Sequence, residues 1–202
     1  MIERIRHDGI LEIRLDRPPA NALGPDLLVA LSRAVRAAAD EQADGVVLSG
    51  APGIFTGGLD VPLLLTLDRA KLRQALGAFF DAMAALAASS LPVAAAITGH
   101  SPAGGAVLAL FCDRRIMAAG EYVIGLSEVT IGIPMPAVVG EALARAVEAH
   151  RLLVTGRTQG AAVLAGAVGS VTLPLLLVIA YYGIVRSTPG VGWGRLDAAF
   201  LA

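Results

Sequence analysis

Two glycine-rich segments carry the clearest chemical potential of this chain: Phe55-Thr56-Gly57-Gly58-Leu59-Asp60 and Gly99-His100-Ser101-Pro102-Ala103-Gly104-Gly105-Ala106. Neither is a phosphate loop, because no Gly-Lys-Ser/Thr follows and no G-x-G-x-x-G spacing appears. Glycine at such places lets backbone N–H groups approach a ligand with no side chain in the way. Two loops of this kind, each after a buried strand, can offer two N–H donors to one oxygen. The same spacing also fits plain strand-to-helix turns. Glu128 is the acid of most interest. It stands between Tyr122-Val123-Ile124 and Val129-Thr130-Ile131-Gly132, and poor solvation there would raise its pKa toward the range of a general base. A surface glutamate at a strand end is the alternative.

Other chemistries find no support. There is no Gly-x-Ser-x-Gly elbow. His7, His100 and His150 have no metal-ligand spacing, and His100 reads as structural. Cys112 follows the apolar run Leu108 to Phe111 and reads as an inert core thiol.

The elements that must position these residues alternate. Ile10, Leu11, Ile13 and Leu15 interleave with Glu12, Arg14 and Asp16, a period of two that predicts a strand with one wet face. Pro25-Asp26 opens a helix carrying Leu28, Leu31, Val35 and Ala38 on one face. Val46-Val47-Leu48 reads as a buried strand, and the glycines and Pro52 that follow it as a loop. A longer helix runs from about Asp68 to Ala88, with Leu72, Leu76, Phe79, Phe80, Met83, Leu86 and Ala87 on one face. Val93 to Ile97 is another buried strand, and Gly104-Gly105 opens a helix through Phe111. Arg114 to Ala118 and Tyr122 to Ile124 read as short strands, and Val138 to Val147 as a helix. Such alternation predicts an α/β layered domain with parallel pairing.

Composition narrows the function classes. The chain has 202 residues, 16 Lys+Arg against 17 Asp+Glu, and a net charge of −1. That balance argues against nucleic acid as a partner. A single cysteine excludes a disulfide framework. A hydrophobic content of 55% excludes disorder, and with only 16% charged residues the chain is apolar for a soluble domain. Met1 to Arg6 alternates charges with isoleucines and is no signal peptide, so the expected compartment is the cytoplasm.

Taken together, five segments resemble the crotonase, or enoyl-CoA hydratase/isomerase, superfamily. They are Leu15-Asp16-Arg17-Pro18-Pro19-Ala20-Asn21-Ala22-Leu23, Phe55 to Asp60, and Thr98 to Leu108 running on to Cys112-Asp113. Ile124-Gly125-Leu126-Ser127-Glu128-Val129 with Gly132, and Gly156-Arg157-Thr158, complete the set. Each is weak alone; five in order are specific. The resemblance implies a spiral of ββα units over residues 1–160 that binds acyl-CoA thioesters, with the thioester as substrate and no metal or other cofactor. By motif position, the backbone N–H groups of Leu59 and Gly104 would hold the thioester oxygen, the second at a helix start whose positive end favours an enolate. Asn21, Ala22, Leu23, Gly57 and Gly58 would lie beside the CoA moiety, mostly through backbone, and Glu128 would be the acid/base. It also implies trimers, or dimers of trimers.

Two departures from the family pattern matter. Where hydratases of the family place a second glutamate, three residues after the second oxyanion glycine, this chain has Val107. Adding water to a double bond is easiest with two acid/base groups, whereas moving a double bond needs one. Isomerisation is therefore favoured over hydration, and a non-catalytic acyl-CoA binder is the alternative. Leu59 is also bulkier than the residue usual there, which would narrow the acyl pocket.

Residues 161–202 form an atypical hydrophobic segment. No charge occurs from Thr158 through Val185, which is long enough for a membrane span. Against a span, Pro174 interrupts it and the strongly apolar run begins only at Leu173. A soluble core element would need amphipathic periodicity, which is missing. The third reading is an abnormal or truncated ending after about Gly169, as a reading-frame change would make.

Overall fold

The computed structural model describes residues 1–126 and 136–155, with the helical backbone alone over 148–155. Glu128 and the segment 161–202, with the membrane-span and frame-change readings attached to it, lie outside the described residues. The chain divides into two units, Met1–Leu152 and Leu153–Ala202, and the elements that position the site belong to the first.

Strand β1 (Ile2–His7) turns back through Asp8-Gly9 onto β2 (Ile10–Leu15) in antiparallel register, Ile2 opposite Leu15 and His7 opposite Ile10. The period-two pattern of β2 is met: Leu11, Ile13 and Leu15 are buried, while Glu12 and Arg14 take the other face. Helix α1 (Pro25–Ala37) follows, with proline in its first turn and Leu27, Leu28, Leu31 and Val35 buried. Next come β3 (Gly45–Ser49), the two-residue β4 (Gly53–Ile54), the single turn α2 (Val61–Leu64) and α3 (Arg69–Ala87). Then β5 (Val93–Ile97), β6 (Gly99–Pro102) and α4 (Gly104–Leu110) lead to β7 (Arg114–Met117), β8 (Ile124–Gly125) and α5 (Ala137–Thr155).

The sheets show the repeat. The large sheet has the order β1-β2-β3-β5-β7 and the small one β4-β6-β8. Every pairing beyond β1-β2 is parallel. Each unit sends its first strand to the large sheet and its second to the small one, then a helix: β3-β4-α2/α3, β5-β6-α4, β7-β8-α5. This is a spiral of ββα units, the architecture that the motif resemblance implied. Because β4 and β6 pair in parallel, the strand-to-helix loops that follow them stack beside one another, and the two glycine-rich segments become spatial neighbours.

Helix α3 departs from expectation. Its buried face is Ala75, Ala78, Phe79, Ala82, Met83, Ala85 and Leu86, while Leu76 and Phe80 are exposed. The face is rotated because α3 lies directly against α1. Close approach of two helices selects alanines for the seam, a signal outweighed in the sequence by the larger apolar side chains. Asp68 caps the N-terminus of α3, its Oδ1 accepting from the Lys71 N–H at 2.8 Å.

Candidate active site

The first glycine-rich segment is shaped by the loop after β2. Asn21 sits there in the left-handed region (φ 49°), a conformation that asparagine tolerates better than most residues. Its side chain is spent inward: Oδ1 accepts from the Arg17 N–H at 2.7 Å, and Nδ2 donates to the Phe55 carbonyl at 3.1 Å. Thr56, fully buried, donates its hydroxyl to the Asn21 carbonyl at 2.7 Å and accepts from the Gly58 N–H at 3.1 Å. Gly57 N–H donates to the Ala20 carbonyl at 2.7 Å. Leu23 then pairs across the turn. Its N–H donates to the Gly58 carbonyl at 2.8 Å, and its carbonyl accepts from the Asp60 N–H at 3.3 Å. In such a parallel bridge the central residue turns its own N–H away from the partner strand. That residue is Leu59, and its N–H has no acceptor among the described residues.

The second segment supplies a matching donor. Ala103, between β6 and α4, has φ 47° and ψ −115°, a conformation strained for a residue with a side chain. Two hydrogen bonds hold it: Ala103 N–H to the Gly125 carbonyl at 2.7 Å, and Val107 N–H to the Ala103 carbonyl at 3.0 Å. Because the Ala103 carbonyl points into α4, the N–H of the same peptide, that of Gly104, points out of the helix start. It too lacks an acceptor among the described residues.

The segments meet closely. A methyl group on Gly104 would come within 3.2 Å of the Leu59 nitrogen. The two nitrogens therefore lie within about 6 Å of each other, a span that one oxygen at ordinary hydrogen-bond distance from both can bridge. Gly58 (φ +84°) makes the approach possible. Any Cβ there would stand 3.1 Å from the Pro102 carbonyl oxygen and 3.2 Å from the Gly104 nitrogen.

Of the remaining expected site residues, Ala22 is half-buried and Gly57 exposed, whereas the Leu23 side chain belongs to the core. Asn21 and Leu23 thus support the loop from within. Val107 is buried in the core. His100 is structural, its Nδ1 accepting from the Val123 N–H at 3.0 Å and its ring edge-on to Tyr122. Burial pushes the Cys112 thiol up to about 12, as fits an inert core cysteine. No group of three metal-ligating side chains occurs among the described residues, and no described helix is long and apolar enough to cross a membrane.

Three supporting residues escape sequence reasoning. Thr56 stands in its motif with nothing to mark its buried hydroxyl as a link between loops. Arg17 and Asp60 form an ion pair at 2.7 Å, which their separation in sequence conceals. Away from the site, Glu12 accepts hydrogen bonds from Ser49, Arg14 and His7. Partial burial pushes its carboxyl up, but these hydrogen bonds and the Arg14 charge outweigh it, so the net pKa lies below the usual range.

Comparison with known proteins gives a consistent result. A family profile described as enoyl-CoA hydratase/isomerase matches residues 6–171. Enoyl-CoA delta isomerase 1, mitochondrial, of Rattus norvegicus is 35% identical over 139 residues, which are 67% of this chain and 48% of that protein. A probable enoyl-CoA hydratase of Mycobacterium avium is 38% identical over 164 residues, 75% of this chain and 60% of that one. The crystal structure of human mitochondrial delta3-delta2-enoyl-CoA isomerase superposes with a TM-score of 0.67 at 31% identity, covering 70% of this chain and 57% of that chain. The chain spans about half the length of the curated relatives it matches.

Proposed function

The chain belongs to the enoyl-CoA hydratase/isomerase family, and from that premise we propose that it shifts the double bond of an enoyl-CoA thioester. The thioester carbonyl oxygen accepts from the Leu59 and Gly104 N–H groups. Glu128 removes a proton from C2 of a 3-enoyl thioester, and the electron pair moves onto the oxygen as a dienolate. Return of a proton to C4 leaves the double bond between C2 and C3. Backbone donors fixed before the reaction stabilise the charge that develops, and each is worth roughly 3 kcal/mol at the transition state. The CoA moiety runs past Ala22 and Gly57, the half-buried and the exposed residue of this surface, with buried Asn21, Leu23 and Gly58 supporting it from behind.

The observation that carries this reading is the pair of N–H groups without acceptors among the described residues, held within reach of one oxygen by two loops whose close approach depends on glycine at position 58. Isomerisation is preferred to hydration because Val107, apolar and buried, stands where a second carboxylate would assist water. The single carboxylate also favours a second reading, an acyl-CoA binder without turnover. Self-association as trimers or hexamers is part of the proposal. Exposed Ile116 and Val123 are apolar surface that such contacts would cover, and a concentration-independent monomer mass in light scattering would contradict it.

The test is turnover on a panel of 2-enoyl- and 3-enoyl-CoA thioesters, for the chain and for Glu128→Gln. Conversion of a 3-enoyl to a 2-enoyl thioester is expected, with a loss of roughly 100-fold or more in the variant, the usual scale for a missing general base. Equal activity of the two proteins on every thioester would remove Glu128 from the mechanism.

A further inference from the structure

Arg17 joins the two sides of the first loop. One guanidinium nitrogen, Nη2, lies 2.7 Å from Asp60 Oδ2, and the other, Nη1, donates to the Ala22 carbonyl at 2.7 Å. Ala22 precedes Leu23, and Asp60 follows Leu59. The clamp therefore closes over the bridge whose register decides where the Leu59 N–H points. That bridge needs the help, since the Asp60 N–H reaches the Leu23 carbonyl only at 3.3 Å. The Asp60 carboxylate is mostly buried, with 13% of its side chain exposed. Its other oxygen, Oδ1, accepts from the Leu63 N–H at 3.1 Å and caps α2. A charged fork holding two acceptors at once is stiffer than either hydrogen bond alone.

We propose that Arg17, acting through Asp60 and the Ala22 carbonyl, is a positioning residue that aims the Leu59 N–H at the thioester oxygen. The inference rests on the isomerase reading and names the side-chain pair that its backbone donor depends on. A donor used chiefly by the developing enolate affects kcat more than ground-state binding. Loss of the clamp should therefore appear in kcat and in the polarisation of the bound carbonyl, with KM nearly constant. Lysine can meet Asp60 as a point charge but cannot span both acceptors, so Arg17→Lys should fall between arginine and an uncharged side chain.

The experiment compares the 202-residue chain with Arg17→Met, Arg17→Lys, Asp60→Asn and the Arg17→Met/Asp60→Asn double variant. It measures steady-state isomerisation of a 3-enoyl-CoA and the infrared carbonyl stretch of a bound saturated acyl-CoA. Arg17→Met is expected to lose 10- to 100-fold in kcat with less than a threefold change in KM. The lowered carbonyl stretch of the complex should return toward its value in water. Asp60→Asn should match it, and the double variant should lose no more than either. Unchanged kcat and stretch in Arg17→Met, with Arg17→Lys equally unaffected, would overturn the proposal. A loss of thermal stability or KM alone, with the stretch still lowered, would also overturn it, since that is what a merely structural arginine would give. Glu128→Gln is the control for the parent reading: it should keep the lowered stretch and lose turnover. If the unaltered chain binds the thioester without lowering its stretch, the two-donor reading itself fails, and the role of Arg17 with it.

Discussion

Gly104→Ala probes the two-donor arrangement with a single methyl group. Its Cβ would stand 3.2 Å from the Leu59 nitrogen and 3.3 Å from Leu23 Cδ1. Both contacts are tight, so the Leu59 backbone and the Leu23 side chain must each give by a few tenths of an ångström. The fold should survive that shift at some cost in stability, which the melt measures. The oxygen site should not, because an oxygen at about 2.9 Å from both nitrogens competes with the methyl carbon for the same space. Loss of one donor corresponds to roughly 3 kcal/mol, or a 100- to 1,000-fold fall in kcat. The assay is isomerisation of a 3-enoyl-CoA beside a thermal melt of the same preparation. A folded Gly104→Ala protein that keeps more than a tenth of the parent kcat would refute the placement of the oxygen between these two N–H groups.

Three further outcomes follow from particular side chains. The Ser101 hydroxyl is fully buried and has no hydrogen-bond partner among the described residues, so Ser101→Ala should stabilise the fold by about 1 kcal/mol, raising Tm by ~3 °C; a lower Tm would mean the hydroxyl is satisfied. Glu12 has a folded pKa lowered from 4.5, so its contribution is present above that unfolded value and is lost as pH falls through the folded one. In denaturation series from pH 3 to 6, the advantage of the parent chain over Glu12→Gln should be constant at the upper end and shrink below about pH 4.5, and a pH-independent difference would contradict the assignment. Val107→Glu should raise hydration of 2-enoyl thioesters above background while lowering Tm, because the new carboxylate starts from a buried site; no gain in hydration would show that the missing acid is not what limits that reaction.

Much of the fold is legible in the sequence because its elements obey simple periods. The alternation in β2, the proline-opened α1 and the apolar runs of β3 and β5 each stand where local pattern puts them. Strand β1 is not legible, since its charged residues conceal an edge strand that pairs on one side only. The two-residue strand β4 is too short to leave a periodic trace, and β8 (Ile124–Gly125) overlaps the expected strand Tyr122 to Ile124 only at Ile124. Helix α3 is legible in extent but not in rotation, because seam alanines carry less apolar weight than Leu76 and Phe80. For the candidate site, the glycine spacing is readable as two donor loops, but not what aims them. The hydrogen bonds of Asn21 and Thr56 and the Arg17–Asp60 pair join residues more than 30 apart in sequence, and only the pairing of loops brings them together. The strain at Ala103 likewise has no sequence signature, since alanine is not a residue that announces a positive φ.

Deuterium transfer tests the central claim most directly. A 3-enoyl-CoA incubated with the 202-residue chain in deuterated water should yield the 2-enoyl thioester. Mass spectrometry should find deuterium at C4 of the product or at C2 of the recovered substrate, and Glu128→Gln should suppress both conversion and label. A chain that binds the thioester yet gives neither conversion nor deuterium would contradict the isomerase reading and leave the acyl-CoA binder in its place.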